Sequence, residues 1–242
     1  MKKEDANLNR ADRYGERPIH CACKNKDPKL FNYLIENGAE INFIDCNGLH
    51  LIHYVCRMGD YVLELVEFLV AHGVDLNCTT VEGLIPIHTA CHAGDKALQL
   101  VKFMLTKGAN LNYPNCNNNY PIHYACWSDN ESIQLIDYLI KNGANINCID
   151  IDGWQPIHFA CNNRSLQLVK FLVENGADIN HRNTCGWRPI HIAYKNDALE
   201  IVKYLMSKST DINSIINEFI FKLPCSLMAS HKEVLKSLSG KN

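Results

Sequence analysis

The sequence lacks long apolar runs: none approaches the about 20 residues that a membrane-spanning helix needs. Its N-terminal residues lead into no signal-peptide core. It also lacks an excess of either charge, since 24 Lys and Arg stand against 26 Asp and Glu. These absences argue against membrane insertion and against a general attraction to nucleic acid. They predict an intracellular, cytoplasmic protein.

Short motifs of the common enzyme classes are missing as well. There is no glycine-rich phosphate loop, no G-x-S-x-G nucleophile elbow and no H-E-x-x-H helix. The rest of the composition is ordinary, with 47% hydrophobic residues among 242, which is ample for a core. We therefore expect a protein that is not an enzyme and holds no cofactor.

A phrase of three residues that ends in histidine occurs six times. The copies are Pro18-Ile19-His20, Leu51-Ile52-His53, Pro86-Ile87-His88, Pro121-Ile122-His123, Pro156-Ile157-His158 and Pro189-Ile190-His191. The histidines are 33, 35, 35, 35 and 33 residues apart. A fixed period of this length is typical of a stacked repeat array. Because the phrase recurs in every copy, we interpret its histidines as structural turn and cap residues.

Each phrase is followed by patterns that predict two helices. In the first helix, apolar and small side chains such as Ile19, Ala22 and Cys23 share one face. In the second helix, apolar residues at i, i+1, i+3 and i+4, as in residues 168–172, form one wide stripe that must be buried. Glycines follow five of the second helices, where a left-handed cap is favoured. They are Gly38, Gly73, Gly108, Gly143 and Gly176.

A short stretch such as Asp75-Leu76-Asn77 is predicted to be extended, and a turn then leads into the next phrase. From each helix-ending glycine to the next phrase histidine the count is always 15, whereas from histidine to glycine it is 18 or 20. Two residues added inside a helix would rotate all later residues of that helix by about 200°. The additions are therefore predicted in the turns between the two helices. Those turns are Met58-Gly59-Asp60, Ala93-Gly94-Asp95 and Ser128-Asp129-Asn130.

Together these patterns resemble the ankyrin repeat, whose signature is T-P-L-H-x-A. The resemblance covers the chain from about Asn7 to Leu238. It implies an all-α ankyrin-repeat solenoid of stacked helix-turn-helix pairs with projecting β-hairpin loops, in a single domain over residues 1–242. The predicted parts are a remnant of a preceding repeat at 1–11, repeats at about 12–44, 45–79, 80–114, 115–149, 150–182 and 183–217, and a degenerate C-terminal capping repeat at 218–242.

The sequence departs from that signature in several places. The threonine before proline is absent from every copy, so we expect the histidine to carry more of the local hydrogen bonding. Ser209 stands where a sixth helix-ending glycine would be, and a left-handed serine there is expected to cost about 1 kcal/mol. Asn7-Leu8-Asn9 aligns with the close of a repeat whose helices are missing. This suggests that the chain is a piece of a longer protein, which a full-length transcript starting at Met1 would contradict.

Five repeats carry a His-x-x-Cys pair, the first being His20 and Cys23. Zinc usually takes four ligands, and the C-x2-C pairs that commonly supply them are missing. Five equivalent copies also make a poor catalytic pair, because a catalytic residue is normally unique. We interpret the cysteines as reduced, core-filling side chains and predict no metal.

Partner-binding residues are predicted at the variable positions around the phrase. In proteins that the chain resembles, hairpin tips and the outer face of the first helix meet the partner. The candidates are Arg17, Lys24, His50, Arg57, Ile85, His92, Tyr120, Trp127, Trp154, Gln155, Asn162, Trp187, Arg188 and Lys195. All three tryptophans are among them, and Trp, Tyr and Arg often dominate interfaces. In the alternative that remains open, Trp154 and Trp187 pack on each other between adjacent hairpins.

The resemblance implies a non-catalytic, monomeric scaffold that binds a protein partner through its concave hairpin and inner-helix surface. The alternative function is that of a regulatory or targeting ankyrin segment in a larger enzyme or membrane-associated protein.

Overall fold

The computed structural model describes residues 7–58, 62–92, 97–128 and 133–209. Within these ranges the chain forms twelve α-helices, and the β pairing is a single antiparallel bridge between Ile44 and His50. Contacts divide the chain into two compact units, Met1–Ile151 and Asp152–Asn242. The single domain over 1–242 and its repeat boundaries stay predictions.

The helices come in pairs, a short first helix and a longer second helix. In the first unit the pairs are α1 (Pro18–Lys24) with α2 (Pro28–Glu36), α3 (Leu51–Val55) with α4 (Val62–Ala71), α5 (Pro86–Cys91) with α6 (Ala97–Thr106), and α7 (Pro121–Trp127) with α8 (Ile133–Lys141). In the second unit they are α9 (Pro156–Asn162) with α10 (Leu166–Glu174), and α11 (Pro189–Lys195) with α12 (Leu199–Lys208).

Within each unit the first helices of consecutive pairs pack on one another, and the second helices α4, α6 and α8 do the same, as do α10 and α12. The all-α repeat architecture predicted from the sequence is thereby confirmed. None of the helices in the described ranges is long and apolar enough to cross a membrane.

The core follows the spacing of the apolar residues. On the first helix of repeat 1, Ile19, Ala22 and Cys23 are buried, and on α4 Val66 and Leu69 are fully buried. Burying an aliphatic side chain of the size of Val or Leu contributes about 1.5–3 kcal/mol. The small side chains of the first helices let neighbouring repeats approach closely, so each repeat is stabilised by the next.

The phrase histidine caps the first helix in all six repeats. The backbone N–H of the residue before the phrase donates to the histidine Nδ1, with N···N distances of 2.9–3.2 Å. The N-cap side chains themselves make no capping bond. Histidine at the third helical position therefore replaces the missing hydroxyl cap in the way that Glu or Gln does in a capping box.

Three of these histidines, His53, His88 and His158, also join neighbouring repeats through their other ring nitrogen. Nε2 of His53 lies 3.1 Å from the carbonyl oxygen of Leu84, and Nε2 of His88 lies 3.2 Å from that of Asn119. His158 makes the equivalent contact with the carbonyl oxygen of Trp187 at 3.3 Å, whereas Nε2 of His123 lies 3.2 Å from the carbonyl oxygen of Cys148. Since Nδ1 accepts, these rings carry their proton on Nε2 and are neutral.

The stretches predicted to be extended are tight turns, which corrects that prediction. Oδ1 of Asp75 accepts the N–H of Asn77 at 2.8 Å, and Oδ1 of Asn145 accepts that of Asn147 at 2.9 Å. The short Asp or Asn side chain captures the N–H two residues on and bends the chain before it can extend.

The tips of the hairpin loops are linked by backbone hydrogen bonds. Each N–H donates to a carbonyl oxygen in the preceding tip, at 2.9–3.0 Å. The pairs are Cys46 to Tyr14, Val81 to Asn47, Cys116 to Glu82, Ile151 to Asn117 and Thr184 to Asp152. The approach is close: a Cβ built on Gly48 would lie 2.9 Å from the backbone nitrogen of Val81. These bonds join the tips of each unit into a ladder.

Ser209 is not left-handed, contrary to the expectation. Its φ of −84° and ψ of 139° are extended, whereas the five helix-ending glycines have φ between +80° and +94°. Because no glycine follows α12, the chain continues there in an extended conformation, which carries no left-handed backbone strain. The two-residue additions predicted around 59–60, 94–95 and 129–130, the capping repeat at 218–242 and residues 1–6 of the remnant lie outside the described residues.

Candidate interaction surface

Exposed apolar side chains are concentrated on the hairpin loops of the first unit. Nine large apolar side chains are exposed among the described residues, and seven of them lie on these loops or at the end of a first helix. The seven are Tyr14, Ile44, Val81, Tyr113, Trp127, Ile149 and Ile151. We call this set the hairpin face. Val81 and Ile151, at the tips, are the most exposed, at 68% and 63%.

The loops that carry the hairpin face are held from within. One carboxylate oxygen of Asp45 accepts the N–H groups of Asn47 and Leu49 at 2.9 and 2.8 Å. Asn115 holds the loop two repeats later in the same way, at 3.0 and 2.8 Å. Together with the ladder between tips, these bonds fix the exposed side chains before any partner arrives.

The fourth position after the phrase histidine, which follows the core cysteine in five repeats and Tyr194 in the sixth, is exposed in every repeat. In the first unit the side chains there belong to Lys24, Arg57, His92 and Trp127, and in the second unit to Asn162 and Lys195. Trp127 is 53% exposed, and its ring lies 6.3 Å from that of His92 and 6.4 Å from that of Tyr124. The structure thus brings the first four of these residues to the helix ends beside the hairpin loops of one unit.

The position before the phrase is less accessible than the sequence suggests. Arg17, His50 and Tyr120 are partly exposed. By contrast, three other candidates are buried, with exposed fractions of 0%, 4% and 8%. These are Ile85, Gln155 and Arg188, and the expectation that they lie on the surface is corrected.

At two of these positions, Arg17 and Arg188, the N-cap side chain turns back onto a neighbouring loop. The Arg17 guanidinium packs 3.5 Å over the Phe43 ring and pairs with Glu40 at 2.5 Å. Arg188 Nη1 donates to Asn180 Oδ1 at 3.2 Å.

The two tryptophans of the second unit lie beside the phrase of their own repeats. The Trp154 ring is 5.9 Å from His158 and 5.2 Å from Phe159. The Trp187 ring is 6.4 Å from His191, with Lys195 Nζ 5.3 Å from its centre. The ring contacts of Trp187 thus lie within its own repeat, while its carbonyl oxygen lies 3.3 Å from Nε2 of His158 in the preceding repeat.

A polar cluster joins repeats 1 and 2 at the edge of this surface. The Tyr54 hydroxyl donates to Asp45 Oδ2 at 2.7 Å and lies 3.3 Å from Glu16 Oε1, and Glu16 pairs with Lys24. Although burial acts to raise it, the pKa of the Asp45 carboxyl is held below its ordinary value by bonds from Tyr54 and from backbone N–H groups. Burial and the two carboxylates raise the pKa of Tyr54.

The five His-x-x-Cys pairs are buried in the core. Burial lowers the pKa of His53 and of His158 to about 4, and raises that of Cys23 to about 12. The eleven cysteines in the described ranges are free thiols, and no three His, Cys, Asp or Glu side chains there converge as metal ligands. The histidines act as helix caps, and burial disfavours the thiolate form of Cys23.

The exposure of two groups of side chains was not predicted from the sequence. The apolar tip residues Val81 and Ile151 lie inside turn sequences, where a lone apolar residue was the available signal. The second helices also carry an aromatic ring at the same place in all six repeats. These are Tyr33, Phe68, Phe103, Tyr138, Phe171 and Tyr204.

These rings were expected within a fully buried stripe, but they are only partly buried, and Tyr33 is 58% exposed. Cations cover several of them. Lys102 Nζ lies 5.4 Å from the Tyr138 ring centre, and Lys170 Nζ lies 5.8 Å from that of Tyr204.

Comparison with known families agrees with this geometry. A family model described as ankyrin repeats in three copies matches residues 52–150 and 128–216, and one described as an ankyrin repeat matches residues 14–43. The search of curated proteins gives no match. With six phrases, twelve helices in stacked pairs within the described residues, and matches over most of its length, the chain belongs to the ankyrin-repeat family.

Proposed function

We propose that this chain is a non-catalytic protein-binding array, and that its partner contacts the hairpin face of the first unit. Ankyrin repeats are generally protein–protein interaction modules. The observation that carries the proposal is the concentration of exposed apolar side chains on that face, since such patches commonly mark interaction sites.

The energetics support the same surface. Fully burying a side chain such as Val81 or Ile151 is worth about 1.5–3 kcal/mol, of which part is lost to the cost of association. The Val81 loop is already held by the bond from the Leu84 N–H to Thr80 Oγ1, and the N–H groups of Val81 and Ile151 bond to the preceding tips, so that cost is reduced. Trp127 is the best candidate for a residue that dominates binding, because Trp is the type most enriched among such residues.

The remaining candidates extend this proposal. Lys24, Arg57 and His92 lie at first-helix ends in the first unit, and Trp187 and Lys195 form a second, smaller aromatic and basic site in the other. We propose that the chain acts as a monomer and takes neither nucleic acid nor a cofactor, in keeping with its balanced charge.

The test is affinity capture from a cell extract with the full chain as bait. Trp127→Ala and Val81→Ser alter the hairpin face, and Tyr33→Ser removes an equally exposed apolar side chain from α2 as a matched control. We expect the same proteins to be captured by the wild type and the control and lost by the two face variants, with unchanged circular dichroism. Partners retained by the face variants, or lost by Tyr33→Ser, would contradict the proposal.

A further inference from the structure

We propose that the partner segment on the hairpin face is proline-rich, lacks acidic residues and binds in the polyproline II conformation, with an apolar side chain at every third residue. The proposal rests on the proposed function, because it concerns the same surface. It is carried by the spacing and the width of a row of apolar side chains along the hairpin tips.

Equivalent residues in the tips of repeats 2 to 5 form this row. Each of them is exposed, and its N–H is the one that donates to the preceding tip in the ladder. The residues are Cys46, Val81, Cys116 and Ile151, and we call them the tip row. The two cysteines are free thiols, which behave as small apolar side chains. The tip row therefore presents four neighbouring apolar groups to a partner.

The hydrogen bonds of the ladder determine the distance between members of the tip row. The path from Val81 to Cys116 consists of the peptide unit to Glu82 and of the 2.9 Å hydrogen bond between the Glu82 carbonyl oxygen and the Cys116 N–H. The Cα atoms are about 3.8 Å apart in the first step and about 5.5 Å apart in the second, as in a hydrogen-bonded pair of strands. Successive members of the row are therefore no more than about 9 Å apart. In agreement, Cys116 Sγ lies 3.8 Å from the Val81 carbonyl oxygen.

A polyproline II segment has the matching period. It has three residues per turn and rises about 3.1 Å per residue, so the side chains on one side recur about every 9 Å. In a β-strand the side chains on one face recur about every 6.7 Å, and in an α-helix one turn advances about 5.4 Å. Apolar side chains at every third residue of a polyproline II segment therefore meet all members of the tip row at once.

The tip row is only one residue wide. The residue after each member is polar and exposed, and in the first three tips these residues are Asn47, Glu82 and Asn117. A helix docks through an apolar stripe about 100° wide or wider, which would cover these polar groups as well. Covering them without new hydrogen bonds costs free energy. A segment with one apolar side chain per turn covers the row alone, and its backbone groups, which make no internal hydrogen bonds, face the polar neighbours.

The charge of the tips disfavours acidic residues in the segment. Glu82 is the one charged residue among the tip row and its three polar neighbours, and it makes no ion pair with another described residue. A carboxylate of the partner placed there would be repelled by Glu82 and would lose water beside apolar side chains.

Neither partner needs much ordering before it binds. The side chains of the tip row stand on tips that the ladder links, and proline-rich chains populate polyproline II before they meet a partner. This lowers the cost of association, as it does for other domains that bind proline-rich segments.

The experiment selects binders from a phage-displayed library of random peptides, with the full chain as the target. Each selected peptide is measured against the wild type and against Val81→Ser/Ile151→Ser. The matched control is Leu30→Ser/Tyr33→Ser, which removes two exposed apolar side chains from α2. Alanine scanning identifies the contact residues of each peptide. The peptide is then remade with proline between its contacts, and separately with one residue inserted between two contacts.

We expect contacts at every third residue, binding to Val81→Ser/Ile151→Ser that is about tenfold weaker, and unchanged binding to the control. Proline between contacts should preserve binding, because its φ fits polyproline II. One inserted residue should turn the later contacts away by about 120° and weaken binding about tenfold.

Peptides that depend on Val81 and Ile151 but have contacts at helical spacing, lose binding on proline substitution or require an acidic residue would overturn this proposal and leave the proposed function intact. If no selected peptide depends on Val81 and Ile151, both are overturned.

Discussion

The imidazole of His53 joins two repeats: Nδ1 accepts the N–H of His50 at 3.2 Å, and Nε2 lies 3.1 Å from the carbonyl oxygen of Leu84 in the next repeat. One neutral ring thus caps a helix and bridges to its neighbour. A second proton on Nδ1 would break the cap bond, so the joint requires an uncharged histidine.

We predict that the array loses stability as the pH falls from about 6.5 to about 4. Burial lowers the pKa of His53 and His158 from the ordinary value of 6.5 to about 4, so the unfolded chain takes up protons first. The stabilisation is complete above pH 6.5 and is lost through this window, at about 3 kcal/mol for each of the two residues. Urea unfolding followed by circular dichroism at several pH values measures it.

The matched variant is His53→Gln, because glutamine at this helical position also accepts the N-cap N–H but does not titrate. Its unfolding free energy should fall less steeply below pH 6.5 than that of the wild type. An unchanged pH slope would show that His53 is not a source of the acid sensitivity.

Asn77→Ala should cost about 1–2 kcal/mol of unfolding free energy. The Asn77 side chain donates to the Gly108 carbonyl oxygen at 3.1 Å and accepts the Asn110 N–H at 2.8 Å, so two bonds between repeats are lost. Asn42 occupies the same place one repeat earlier and makes no side-chain hydrogen bond within the described residues. Asn42→Ala should change the unfolding free energy by less than about 0.5 kcal/mol. Equal losses of unfolding free energy in the two variants would argue against a stabilising role for the two Asn77 hydrogen bonds.

Gly48→Ala should destabilise the chain more than Gly73→Ala. Both glycines have positive φ, +72° and +80°, so both variants carry about 1 kcal/mol of backbone strain. At Gly48 the new Cβ would also meet the Val81 backbone nitrogen at 2.9 Å, whereas at Gly73 nothing lies within 4 Å. We expect about 2–3 kcal/mol against about 1 kcal/mol in thermal or urea unfolding. The reverse order would mean that the hairpin tips are not held together.

Tyr54→Phe should cost about 1–3 kcal/mol, because it leaves the buried Asp45 carboxylate short of one donor. The Asp45 pKa should rise, so the variant should also lose stability at a higher pH than the wild type. Tyr124→Phe removes a neutral bond from Asn115 Nδ2, at 3.0 Å, and should cost about 0.5–1.5 kcal/mol with no change in pH dependence. Denaturation of both variants at pH 7 and pH 4 separates the charged from the neutral case.

The helices were predictable because their signal is local. Ile19, Ala22 and Cys23 share a face through helical spacing alone, and the constant count from Gly to His keeps every hairpin loop alike. The same locality explains the errors. The Asp75 side chain bends residues 75–77 through a single hydrogen bond. The spacing of apolar residues carries no information about such a bond.

Burial of single surface candidates was less predictable, since it depends on the residues that an adjacent loop places over them. Ile85 and Tyr120 precede the same phrase, yet only Ile85 is fully buried. Likewise Trp127 was found because it follows a core cysteine, whereas Val81 was missed because its exposure comes from its place at a tip.

The ladder of hairpin tips also determines how such a chain can be lengthened or shortened. The loop holding Val81 donates one N–H to the preceding tip and offers the Glu82 carbonyl to the following one, and every interior tip of the first unit has the same two-sided character. If the residues between one tip and the next are removed, the N–H donor of one remaining tip therefore faces the carbonyl acceptor of the other. Gain or loss of whole repeats preserves this register, whereas a change of one residue within a loop does not. The array is thus suited to growth by duplication of complete repeats.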